Sequence, residues 1–325
     1  MKHGFLACAL ATALCSACGD SSVGAGGMGG GGSAGRGGEG GSSVDGALTV
    51  EWGPTEVAAG TEGTRCVVKR LGNESRFFAH QIRNELGATS HHFIVYRVSD
   101  TEERPEPFPC QPFTDTLNPS AGAPLMITQR TDDTLTLPDG IVYEFQPNQM
   151  IRLELHYVNV TASAQTASAT STFIPIPEDE VVDRADIVFM GETNISIPPQ
   201  SSATAGPSFI RLPAVLDGVS FFAVTGHEHQ WGTNVYVEAA ESPEAPGVPV
   251  YDVPVFLWDE PETVEHDPPF TVPSGGGFKL TCDWTNRSDD QVGFGTSVDD
   301  EMCFFWAYYY PSQGAIICAP PLGCL

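Results

Sequence analysis

Between Met150 and Val158 apolar and polar side chains alternate without a break: Ile151, Leu153, Leu155 and Tyr157 fall on one parity, Arg152, Glu154 and His156 on the other. A period of two is that of an extended strand, so this segment predicts a strand with His156 on its polar face. Short β-branched and aromatic runs recur from His91 to Val98, Thr170 to Ile176, Ile187 to Met190, Ser220 to Val224, Asn234 to Glu238 and Met302 to Tyr310. They are separated by proline, glycine, asparagine and aspartate, which is the punctuation of an all-β chain. No segment carries a convincing 3.6-residue apolar period long enough for a helix. The pattern predicts two antiparallel β-sandwich (jelly-roll-like) domains in tandem, residues 47–182 and 183–325, joined near Pro177 to Asp183.

The amino terminus lies outside that pattern. Lys2 and His3 precede an apolar stretch of fourteen residues, Gly4 to Ala17, too short to span a bilayer and suited to the apolar core of a secretory signal. The stretch ends Leu14-Cys15-Ser16-Ala17-Cys18, similar to a bacterial lipoprotein cleavage site, so residues 1–18 read as a signal and Cys18 as the lipid-bearing residue. Half of the 28 residues from Gly19 to Gly46 are glycine. Such a segment buries no core and predicts a flexible tether of roughly 30 Å root-mean-square span. The expectation is an exported protein, membrane-anchored through lipid or secreted.

Charge and cysteine content narrow the function further. Among 325 residues, 41 are acidic and 15 basic, a formal net charge of −26; a surface of that sign repels phosphate backbones, which excludes nucleic acid as a partner. Beyond the signal and Cys18, six cysteines remain: Cys66, Cys110, Cys282, Cys303, Cys318 and Cys324. An even number in an exported chain predicts three disulfides, and fifteen connectivities are open. The competing use, a zinc site, lacks the C-x-x-C pair it favours.

Histidine supplies the candidate chemistry. Five of the eight histidines fall in three tight settings: His91-His92 at the start of a strand, His156 on the alternating strand, and His227-Glu228-His229. Positions i and i+2 of a strand share a face, so His227 and His229 can chelate one ion. Adjacent His91 and His92 point to opposite faces of a regular strand and can share a metal only where the strand is irregular.

Four stretches in this order, Ser90-His91-His92-Phe93, Leu155-His156-Tyr157, His227-Glu228-His229 and Asp300-Glu301-Met302-Cys303, resemble the copper type II, ascorbate-dependent monooxygenases, the group of peptidylglycine α-hydroxylating monooxygenase and dopamine β-monooxygenase. The resemblance runs from about Ala47 to Pro311 and implies two copper ions, one per sandwich, facing each other across an open cleft. It assigns His91, His92 and His156 to the electron-transfer copper, and His227, His229 and Met302 to the catalytic copper where O₂ binds. Imidazoles suit both copper oxidation states, and a soft thioether favours Cu(I). The resemblance also implies the disulfides Cys282–Cys303 and Cys66–Cys110, which leaves Cys318 with Cys324.

Peptide-amidating members hold the substrate carboxylate with an arginine two residues before the H-x-H pair and with an asparagine and a tyrosine two and four residues after the methionine. Those positions are Thr225, Phe304 and Trp306 here, with no cation among them. The three are therefore candidate substrate residues for a more apolar pocket. The expected activity is hydroxylation of a C–H bond in a neutral or cationic small molecule, with O₂ and two electrons from ascorbate or a similar reductant. The alternative is a non-catalytic lipoprotein that binds or sequesters copper.

Overall fold

Twenty-three strands and two short 3₁₀ turns make up the secondary structure of the computed structural model, which describes residues 45–111, 113, 122–319 and 323–324. The chain is all-β, as its apolar pattern predicts. The signal, Cys18 and nearly all of the glycine-rich tether lie outside the described residues. Val44–Leu325 forms one compact unit.

The amino-terminal strands build two facing sheets. One runs in the order Leu48–Val57, Gln165–Pro175, Phe77–Leu86, Ile141–Phe145, Asp183–Arg184; the other runs Arg104–Pro109, Thr61–Arg70, Met150–Asn159, Ser90–Val98, Gly122–Thr128. The carboxy-terminal strands repeat the plan. Thr263–Phe270, Ser220–His227, Phe304–Tyr310, Asp186–Gly191, Ile316–Ala319 and Gly323–Cys324 form one sheet, and Ser201–Arg211, Gly277–Asn286, Gly232–Ala240 and Val248–Asp252 the other. Among the described residues, strands up to Arg184 pair only with one another, and so do those from Asp186 onward. Three disulfides, Cys66–Cys110, Cys282–Cys303 and Cys318–Cys324, staple the strands.

The strand Phe304–Tyr310, FFWAYYY, is apolar on both parities and buried almost throughout, as strands enclosed on both faces are. Phe305, Ala307 and Tyr309 enter the carboxy-terminal core with Val188, Val224 and Trp284. Phe304, Trp306 and Tyr308 belong instead to a cluster shared with the amino-terminal sandwich, which includes Phe113, Leu125, Ile127 and Tyr143. A sheet that is apolar on both sides thus seals the two sandwiches together. Each large aromatic buried there contributes about 2–3 kcal/mol. Gly191 is required by this packing, because a Cβ at that position would lie 1.9 Å from the Phe304 ring.

The strand Met150–Asn159 departs from the half-buried form its alternation predicts. Glu154 and His156, on the polar parity, are buried along with the apolar residues. The reason is that this face meets the Cys66–Cys110 staple, Phe113 and the carboxy-terminal sandwich rather than solvent.

Candidate metal centre

A bulge brings the first histidine cluster together. Ser90 pairs with Tyr157 and His92 with His156, so two steps along one strand are matched by one step along its neighbour and His91 is the extra residue. Such a bulge re-aims a side chain. His91 and His92, which a regular strand would hold on opposite faces, here both meet His156, with ring centroids 5.3 and 4.7 Å away. Candidate ligand nitrogens of the three rings all lie within 4.8 Å of one another.

Glu62 orients this cluster. Its Oε1 lies 2.9 Å from His156 Nε2, and that bond, ahead of the other influences, holds the Glu62 carboxyl below its usual range. An ionised carboxylate only accepts, so His156 donates from Nε2 and presents the Nδ1 lone pair to His92, whose own Nδ1 is 3.3 Å away. His92 then donates from Nδ1, which leaves its own lone pair on the buried Nε2.

The second cluster sits at the end of the strand Ser220–His227. His227 and His229 lie with ring centroids 5.2 Å apart and planes nearly perpendicular, while buried Glu228 packs against Gly232. Glu301 fixes the loop that carries Met302. Its Oε2 accepts from the backbone N–H of His229 at 3.0 Å, the backbone N–H of Met302 at 3.2 Å and Trp284 Nε1 at 2.9 Å, and its Oε1 accepts from Trp231 N–H at 2.7 Å. One carboxyl therefore anchors the backbones of His229 and Met302 together. Burial nonetheless raises Glu301 to about 7 against those four donors.

Four of the five rings are held in the form a metal needs. Burial, with neighbouring imidazoles adding, pushes His91 down to about 4 and His92 and His227 well below the usual histidine range. Burial likewise lowers His229 to about 4. These rings are neutral at physiological pH, so their lone pairs are available. His92 Nε2 and His227 Nε2 are buried without a hydrogen-bond partner, and an unsatisfied buried nitrogen calls for an occupant. The donor set of five imidazoles and one thioether fits copper.

An open cleft does not separate the clusters. His92, His156, His227 and His229 are each 4% exposed or less. The Phe113 ring lies between them, 5.0 Å from the His92 ring and 5.7 Å from that of His227. Phe113 takes a left-handed backbone, φ 55°, and its N–H donates to Glu154 Oε1. Gln129 and Trp258 make a second bridge: Gln129 contacts His227 and the Trp258 carbonyl, and the Trp258 ring stands edge-on to His91 at 5.4 Å. The cavity of about 340 Å³ at this edge is lined by His91, Gln129 and Trp258 among others. The apolar surface joining the sandwiches closes what the family resemblance implies to be open.

Thr225, Phe304 and Trp306 are buried in that same surface. Phe304 and Trp306 stack on Phe189 at 5.1 and 6.2 Å, and the Thr225 hydroxyl meets that of Thr263 at 2.8 Å. Phe304 pairs with His227 and Trp306 with Thr225 across the sheet, so the three share the His227 face. Glu62, Glu301, Gln129, Phe113 and Trp258 are site residues that the sequence reading did not single out. Only Glu301 carried a signal, its place beside Met302.

Comparison with known proteins adds to this geometry. Residues 183–322 match the family model for the carboxy-terminal domain of copper type II ascorbate-dependent monooxygenases. This match, over less than half of the chain, supports the copper type II ascorbate-dependent monooxygenase family. The matched monooxygenase domain contains His227, His229 and Met302, and the family implies dependence on copper and ascorbate. No curated protein matches the chain. Among solved structures, the chain is similar to the major capsid protein P2 of bacteriophage PM2, at 7% identity and a TM-score of 0.37, over 82% of this chain and 99% of that one. It is also similar to a structure of Sulfolobus turreted icosahedral virus, at 9% identity and a TM-score of 0.35, over 82% and 91%. A secreted protein from Parabacteroides distasonis gives 10% identity and a TM-score of 0.18, over 83% and 91%. Likenesses this weak carry no functional argument. Among the described residues, no helix is long and apolar enough to cross a membrane.

Proposed function

We propose that the protein is an exported, lipid-anchored copper monooxygenase with two metal sites, His91/His92/His156 and His227/His229/Met302. The observation that carries this reading is the His91/His92/His156 cluster, whose candidate ligand atoms lie within 4.8 Å of one another, together with the buried His227–His229 pair inside the segment that matches a copper monooxygenase domain. Copper bound there supplies one-electron steps and reactivity toward O₂. The protein's own groups do the rest. Glu62 keeps the His156 proton on Nε2. Glu301 fixes the backbones of His229 and Met302 relative to each other. The Met302 thioether favours the reduced metal, and Phe113 and the surrounding aromatics exclude water.

In the proposed reaction two electrons from ascorbate or a similar reductant and two protons are consumed. One oxygen atom of O₂ enters a substrate C–H bond and the other leaves as water. The cavity beside His91, the only partly exposed histidine of the five, offers the reductant its approach. Thr225, Phe304 and Trp306 lie on the His227 face without a cation, which favours a neutral or cationic small molecule over a carboxylate substrate. Depth of burial of four of the five histidines favours a second reading, a protein that sequesters copper without turnover.

An oxygen electrode separates the two. Copper-loaded protein with ascorbate, tested across neutral aromatic and aliphatic compounds and C-terminal glycine peptides, is expected to consume O₂ and yield a hydroxylated product from the neutral panel. Tight copper binding with no turnover on any compound supports sequestration instead. The preparation also reads the anchor: detergent, not salt, releases the wild type from membranes, and Cys18→Ala makes it soluble.

A further inference from the structure

We propose that Gln129, a residue of the amino-terminal sandwich, is a positioning residue that holds His227 in its copper-binding tautomer, making the carboxy-terminal site dependent on both sandwiches. The inference deepens the two-site reading and rests on His227 being a ligand. Gln129 follows the strand Gly122–Thr128 and is buried. Its two ends face different partners: the carbonyl oxygen of Trp258 at 3.2 Å from Nε2, and His227 Nδ1 at 2.7 Å from Oε1.

The Trp258 carbonyl can only accept, so the amide must turn its NH₂ toward it. Gln129 Oε1, also only an acceptor, is left facing His227, which must donate from Nδ1. The proton is thereby fixed on Nδ1 and the lone pair on Nε2. His227 Nε2 is the buried nitrogen without a hydrogen-bond partner. Ligand histidines are commonly oriented by a partner on their second nitrogen, and removing that partner costs 10–100-fold in metal affinity. Here the partner comes from the opposite sandwich, and its other end holds the Trp258 segment whose ring abuts His91. One side chain thus touches the surroundings of both metal sites.

Two variants divide its roles. Gln129→Glu keeps an acceptor for His227 but loses the donor to Trp258; Gln129→Leu, of similar size, loses both. The test uses the full chain in a His156→Ala background, so that Cu(I) competed against a chromophoric chelator reports the carboxy-terminal site. The Leu variant is expected to bind Cu(I) about 10–100-fold more weakly and the Glu variant to match the Gln129 parent. In metal-free protein with ¹⁵N-labelled histidine, the imidazole shifts should give the Nδ1–H tautomer for His227 in wild type and Gln129→Glu, and lose it in Gln129→Leu. Equal Cu(I) affinity in the Leu variant, or an Nε2–H tautomer in wild type, overturns the proposal. If His227→Ala leaves Cu(I) binding unchanged, the ligand assignment fails, while the tautomer measurement, which needs neither copper nor a folded Leu variant, still decides the role of Gln129.

Discussion

Buried acids carry much of the local order in this molecule, and they do so against their own desolvation. Glu301 meets four donors and Glu154 meets Phe113 N–H and Tyr96 Oη, yet burial lifts both to about 7. Asp186 offers a test away from the metal centre. It accepts from Ser312 Oγ at 2.7 Å and lies 4.0 Å from Arg97 of the other sandwich, but desolvation outweighs both and raises its carboxyl above the usual aspartate value. A raised folded value means that, above the unfolded pKa, the native state holds more protons than the unfolded chain, so this group's contribution to stability falls as pH rises. Asp186→Asn cannot ionise. Urea unfolding at about pH 4 and about pH 7 should therefore show the variant gaining on wild type at the higher pH. A variant that loses ground at pH 7 would mean that the Arg97 pairing outweighs burial.

Single irregularities in strands decide what the elements present. The bulge at His91 turns an adjacent pair into two side chains that both meet His156. The end of the strand Ser220–His227 leaves His227 and His229 on one side with Glu228 packed away against Gly232. The Cys282–Cys303 bridge ties the strand Gly277–Asn286 to the residue that follows Met302 and closes a sequence separation of 21. Chain entropy alone assigns a loop of that size about 3 kcal/mol. Replacing both cysteines with alanine should lower unfolding stability by about that amount in denaturant titrations and loosen Met302; an unchanged midpoint would deny the bridge that role.

Strand parity made the all-β class legible in the sequence, since the alternation at Met150–Val158 and the short aromatic runs need no tertiary information. The proximity of His227 and His229 was legible from their i, i+2 spacing, although the strand ends at His227 and His229 follows it in the loop. The His91 bulge was not, because nothing in Ser90-His91-His92 distinguishes a regular strand from a bulged one. Nor was the fate of Phe304 and Trp306, whose aromatic face suits a substrate pocket or a sandwich contact equally until its partner, Phe189 and the amino-terminal core, is known. Gln129 and Trp258 act across long sequence distances and left no local trace.

On the scale of the whole molecule, two sandwiches share one apolar seam, and the histidine clusters lie along it, linked by Phe113 and by Gln129 with Trp258. So close an arrangement poses a specific alternative to two separate sites, namely one centre that uses all five histidines. Copper titration of the metal-free protein decides between them. The account predicts about two equivalents per chain in wild type, with one remaining after His156→Ala and one after either His229→Ala or Met302→Ala. A single equivalent in wild type, abolished by changes in either cluster, would contradict it.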